Sequence, residues 1–204
     1  MGLDMSYQAM PENGELLAHV RQNPPLGENL EFFHTYVQAK PEFVAYYADD
    51  APFQEFVRLA RETVAAHPGL ETRHLLWGRR WDMVYYLLAP HRRLCEARDY
   101  NYWVDQAIFG RTVLFPTPPE FVDAPTRYVV PSDVRVIAHR MNGVSVRSLR
   151  RHWNPRLMRE AAVYKIGGNE TDEHWQYLEQ AFDELRAFYE NVARHGEGVL
   201  AFCS

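Results

Sequence analysis

The chain has 204 residues, enough for one domain with a full-sized core. Apolar residues make up 47% and charged residues 24%, the balance of an ordinary globular protein. The net charge of -5 disfavours nucleic acid and anionic membranes as partners, because both select a basic face. Residues 1–10 include Asp4 and no apolar run, so no signal peptide is read there. No segment approaches the roughly 20 apolar residues of a membrane span. A cytoplasmic protein with Cys95 and Cys203 reduced is the expectation.

Gly2–Met10 alternates loosely before Pro11 and reads as a short strand. Glu12–Gln22 carries Leu16, Leu17 and Val20 at helical spacing and is ended by Pro24-Pro25. An aromatic-rich stretch follows, with Phe32, Phe33, Tyr36, Phe43, Tyr46, Tyr47, Phe53 and Phe56, cut by Pro41 and Pro52. This stretch reads as short helical pieces whose aromatics need cover from the main body or a second subunit, which could make it a partner surface. Thr72–Ala89 is apolar nearly all round and reads as a buried central helix, with Gly78 as its weak point; the alternative is a helix beginning only at Arg79, with His74–Trp77 as an approach segment. Asp99–Phe109 is a short helix before Gly110.

Phe115–Pro125 holds four prolines and reads as an extended loop. Arg127–Val130 is a short strand, and Pro131 opens the next helix. Ser145 and Asn154 are placed to cap two further helices. Gly167-Gly168-Asn169 is a turn. Thr171, Asp172 and Glu173 then start a long helix with an apolar stripe from Trp175 to Val192, closed by Gly196. Gly198–Cys203 is a C-terminal strand. The fold expected is α+β: a single, predominantly helical domain over residues 1–204, around a small mixed sheet built from the two terminal segments.

Chemistry is densest at Leu75–Ala89. His74, Arg80, Trp81, Asp82 and Tyr85 are the ligand-binding candidates, an aromatic-walled pocket with an Asp/Arg floor. The competing reading is a buried helix whose Asp82 is held by Arg79, Arg80, another arginine or a backbone hydrogen bond, with Trp81, Val84 and Leu88 buried. Arg147 and Arg151 lie one helical turn apart and are the anion-binding candidates. The alternative for them is a solvated face pairing with acids such as Glu160 or Asp172. The nine histidines show no zinc-binding spacing, and no cofactor, nucleotide or nucleophile motif is present. Cys95 follows His91-Arg92-Arg93 without a catalytic partner pattern. No metal and no cofactor are therefore expected.

Several segments, in this order, resemble the YfbM-like bacterial proteins, a domain of unknown function. Arg80-Trp81-Asp82-Met83-Val84-Tyr85-Tyr86 is similar to that family's central Arg/Lys-Trp-x-x-Leu-His-x-Leu motif. Ala107-Ile108-Phe109-Gly110 looks like its small-apolar-Gly segment, and Tyr128–Val134 resembles its strand-to-helix junction. The long final helix and apolar C-terminal strand also match, and the resemblance implies that residues 28–66 are a helical insertion. Tyr85 stands where the family usually has His. A tyrosine, with an ordinary pKa of about 10, does not simply replace a histidine acid-base at neutral pH. The resemblance implies the fold class and a bacterial origin, and carries no reaction with it. The leading functional expectation is a non-catalytic binding or protein-interaction domain, with a protein partner or self-association. The alternative is an enzyme acting on a small anionic ligand beside the helix at 79–89.

Overall fold

The computed structural model describes residues 4–91, 99–114, 125–167 and 170–203. The Phe115–Pro125 loop (except Pro125), Cys95 and the Gly168-Asn169 part of the expected turn lie outside these residues. In chain order the strands are β1 (Met5–Met10), β2 (His74–Gly78), β3 (Thr112–Val113), β4 (Arg127–Val129) and β5 (Gly198–Cys203). They form one sheet in the order β2-β1-β5-β4-β3, and every neighbouring pair is antiparallel. The expected mixed sheet is thus corrected. β2, β5 and β3 run one way and alternate with β1 and β4, so no two parallel strands touch.

The N-terminal helices are α1 (Glu15–Gln22), α2 (Phe33–Val37), α3 (Pro41–Tyr46) and α4 (Ala51–Ala66), with a 3-10 turn at Pro24–Leu30 between the first two. Residues 28–66 thus hold α2, α3 and α4, joined by turns. Next come α5 (Trp81–Leu88), α6 (Trp103–Phe109), α7 (Pro131–Asn142), α8 (Val146–His152), α9 (Pro155–Glu160) and α10 (Asp172–His195). The cap signals act where they were read. Ser145 Oγ accepts the Ser148 N–H at 3.1 Å, and Asn154 Oδ1 accepts the Leu157 N–H at 3.1 Å.

β1 is buried on both faces, and its period-two alternation sorts its contacts. Tyr7 points to the α6–α10 side, where its hydroxyl donates to the Ile108 carbonyl at 2.9 Å and its ring lies 5.9 Å from Phe188. Ser6 and Gln8 point to the N-terminal side. Ser6 donates to Glu31, and the Gln8 amide donates to the Leu70 carbonyl. α10 buries Trp175, Leu178, Phe182, Leu185, Tyr189 and Val192 along one stripe, against Val134, Ile137, Ala138 and Met141 of α7.

The single helix expected over Thr72–Ala89 is corrected: its first part is β2, and α5 begins only at Trp81. Gly78 has φ +66°, a conformation that L side chains rarely adopt, and the chain turns there. The apolar run Leu75-Leu76-Trp77 belongs to an edge strand, with Trp77 1% exposed and Leu76 65% exposed. Gly198 meets a different constraint, since any Cβ there would overlap the Tyr128 ring and the Val129 carbonyl. That close approach lets the Tyr128 hydroxyl cross β5 and donate to the Met10 carbonyl at 2.9 Å.

Arg73, just before β2, and Glu197, just before β5, form a buried two-pronged ion pair: Nε to Oε2 at 2.7 Å and Nη2 to Oε1 at 2.6 Å. The Arg73 carbonyl also accepts the Ala9 N–H, so the pair fixes the strands on both sides of β1. Replacing Arg73 by Met should cost about 3–5 kcal/mol, because it strands a buried carboxylate. The Arg73→Met/Glu197→Leu double variant should recover part of that loss. Urea denaturation of the three proteins measures it, and a double variant weaker than Arg73→Met would contradict the assignment.

Candidate functional site

α5 is enclosed on most sides. Trp81, Asp82, Val84, Tyr85 and Leu87 are buried. Leu88, expected to be buried with Trp81 and Val84, is only partly covered in the last turn before Pro90, and Leu87 takes its place. The Trp81 ring packs edge-on to Phe109 at 5.5 Å, and Tyr85 lies 5.3 Å from the same ring. Asp82 is 0% exposed and accepts the Tyr164 backbone N–H at 2.6 Å. This is the backbone hydrogen bond expected for a carboxylate in an apolar helix.

Neither neighbouring arginine holds Asp82. Arg79 pairs with Asp4 at 3.3 Å. Arg80 pairs with Glu184 of α10 at 2.8 Å, donates Nε–H to the Trp77 carbonyl at 2.9 Å and lies over the Tyr177 ring. Tyr85 donates its hydroxyl to Asp105 Oδ1 at 2.8 Å, and Asp105 Oδ2 accepts the Asp99 N–H at 3.2 Å. Asp105 is a buried carboxylate that the sequence reading missed. Its signal was present: all of 104–109 is buried, and the reasoning applied to Asp82 holds for any acid in such a run.

His74 is drawn away from this group. It lies on β2, with Nδ1 3.1 Å from the Glu71 carbonyl. Its ring stacks on His34 of α2, with centroids 4.6 Å apart and planes 13° apart. Burial, and then His74, lower the His34 pKa from its ordinary value. The five ligand-binding candidates therefore occupy three settings: His74 beside α2, Arg80 on α10, and Trp81, Asp82 and Tyr85 inside. Arg147 and Arg151 are exposed on α8 and make no ion pair among the described residues. The acid Asp172 is taken by Arg150 at 2.5 Å, and Glu160 by Arg156 at 3.0 Å.

The aromatic-rich stretch, expected to need cover from the main body or a second subunit and so to offer a partner surface, forms an aromatic platform. Phe32, Phe43, Tyr46 and Tyr47 are 52%, 43%, 83% and 37% exposed. Tyr47 lies 5.4 Å from Phe43, 5.3 Å from Tyr46 and 4.6 Å from the buried Phe53. Tyr36 bridges Phe43 to Phe53 and Phe56. Polar bonds from α4 hold the backbone beneath these rings. Gln54 donates to the Val44 and Tyr47 carbonyls at 2.7 and 2.8 Å, and Arg61 donates to the Ala39 carbonyl at 2.7 Å. Asp50 caps α4 through the Phe53 N–H at 3.0 Å.

The fold and these sites define an α+β domain with a helical face on each side of an antiparallel sheet. The chain belongs to the family described as a domain of unknown function, DUF1877, which matches residues 1–202. Its structure is similar to the crystal structure of YfbM from Escherichia coli, a protein of unknown function, with a TM-score of 0.60 and 13% sequence identity. That similarity covers 98% of this chain and 99% of the other. No curated protein matches the chain. No helix among the described residues is long and apolar enough to cross a membrane.

If Tyr85 and Trp81 are structural, their loss shows in stability. Tyr85→Phe should cost about 1–3 kcal/mol by removing a donor from the buried Asp105. Trp81→Ala should cost about 3–5 kcal/mol through the cavity it leaves. Chemical denaturation reads both, and midpoints equal to wild type would refute the structural assignment.

Proposed function

We propose that this chain is a non-catalytic protein-interaction domain whose contact face is the aromatic platform of α2, α3 and α4. The observation that carries the proposal is the set of touching exposed rings Phe43, Tyr46 and Tyr47, rooted on buried Phe53 and, through Tyr36, on Phe56. Tyrosine and phenylalanine are enriched at protein interfaces. A platform already fixed by Gln54 and Arg61 reduces the ordering cost of binding. The exposed Arg147 and Arg151 are candidates for a carboxylate or phosphate on a partner. A bacterial cytoplasmic setting belongs to the same proposal, supported by the likeness to an Escherichia coli protein.

The competing reading, an enzyme for a small anionic ligand beside residues 79–89, gains nothing from the geometry. Arg80 is committed to Glu184, while Asp82 and Tyr85 are buried and bonded to protein groups. A general acid or base must reach its substrate.

A photo-crosslinking residue at Tyr46 tests the proposal, with one at the exposed Val136 of α7 as control. Protein adducts are expected from position 46 in cell extract and not from position 136. Adding Phe43→Ser to the position-46 probe should weaken them at least several-fold, while costing the fold less than about 1 kcal/mol. An adduct at twice the chain mass would identify the partner as a second copy. Equal adducts from both positions, or none from position 46, would sink the proposal.

A further inference from the structure

We propose that the His34–His74 stack is a proton-sensitive clasp that seats α2, the margin of the aromatic platform, on the sheet edge near neutral pH and loosens it in mild acid. The clasp rests on the geometry alone; its consequence for binding rests on the platform being the contact face.

α2 is only five residues long and packs on α4 and on the turn Leu70–Thr72, and His34 carries it to His74 on the β2 edge. Phe33 anchors it in the core, and Tyr36 links it to Phe43, Phe53 and Phe56. His34 sits between them, its ring parallel to that of His74 at 4.6 Å. The Glu71 carbonyl can only accept, so the His74 nitrogen facing it, Nδ1, carries the proton. His74 Nε2 is then the site of the second proton. His34 Nδ1 is buried and meets no hydrogen-bond partner among the described residues. A neutral ring can leave a lone pair there. A charged ring must place an N–H there, a costlier group to bury unpaired. Charging both rings also sets two cations face to face, where one charge opposes the other.

Of the charged groups on the elements around α2, Glu55, Arg58 and Glu62 of α4 pair with one another. Glu31 precedes it and accepts the Ser6 hydroxyl. Arg61 of α4 bonds the Ala39 carbonyl just past its end. Glu71 lies in the 3-10 turn Leu70–Thr72 that packs against it. None of these acids reverses the direction at His34, whose proton affinity is lowered first by burial and then by His74. The linkage follows. Above the ordinary histidine pKa of about 6.5, folded and unfolded rings are both neutral and His34 has no effect on stability. As pH falls below about 6.5 the unfolded ring binds its proton while the folded ring resists. The closed form loses stability until pH passes the lowered folded value.

Histidine ring NMR on the full chain, with hydrogen exchange, tests this. His34 should titrate below about 6.5, and His74→Gln should move that titration upward by relieving the second cause. Intrinsic-rate-corrected exchange of amides 33–47 should speed up at least several-fold between pH 7.5 and 5.5, relative to amides of β5. A His34→Gln/His74→Gln variant should lose that pH dependence. A His34 titration at or above about 6.5, or one indifferent to His74→Gln, would overturn the clasp. So would exchange over 33–47 that is flat with pH. If the clasp opens as described but crosslinking from position 46 finds no protein partner at pH 7.5, the binding proposal fails and the clasp stands.

Discussion

The pairing of β1 with β5 joins residues 5–10 to residues 198–203, from Met5 opposite Cys203 to Met10 opposite Gly198. The sheet's central pair is thus made from the two ends of the chain. Everything between must leave β1 and return to its flank, and the other strands join outside that pair. Two devices maintain it. The missing side chain of Gly198 admits Tyr128, whose hydroxyl ties β4 across β5 to the end of β1. The Arg73–Glu197 pair spans the same end from the other direction, linking the approach to β2 with the approach to β5. Both bridge strands that are distant in sequence, so a large entropy of ordering must be met before the pairing yields its stability.

That dependence explains what could be read in the sequence. Local codes were legible: Ser145 and Asn154 as caps, Pro131 at a first helical position, and the stripe of α10 from Trp175 to Val192. Each is decided within a few residues by hydrogen bonding and periodicity. Both terminal strands were legible for the same reason. β2 was not, because a five-residue apolar run has the same composition in a buried helix and in an edge strand. Only its pairing with β1 and the positive φ of Gly78 distinguish the two.

The candidate site residues were dispersed by the same route. Trp81, Asp82 and Tyr85 are neighbours on α5, as read, and their chemistry looks like that of a pocket. The fold gives Asp82 to the Tyr164 backbone and Tyr85 to Asp105, and turns Arg80 toward α10. Polar groups in such a place must be satisfied, and satisfying them from distant segments ties α5 to α6 and to residue 164. The His34–His74 stack joins residues 40 positions apart by sequence number and has no motif at all.

The platform inverts the usual relation between burial and aromatic content. Its buried members, Phe33, Phe53 and Phe56, hold the layer to the body, and its exposed members continue the same ring contacts outward. Pro41 and Pro52 divide the stretch into short helices, so no long apolar stripe forms to fold the outer rings inward. The backbone under those rings is held by side chains of α4, and α4 is itself packed on α1 and into the core. The five residues of α2 reach the sheet edge through the His34–His74 stack. The firm seat of α4 presents a defined surface, and the attachment of α2 at its margin is a separate property. A proton at one stacked pair of rings acts on the attachment and leaves the internal bonds of the platform untouched.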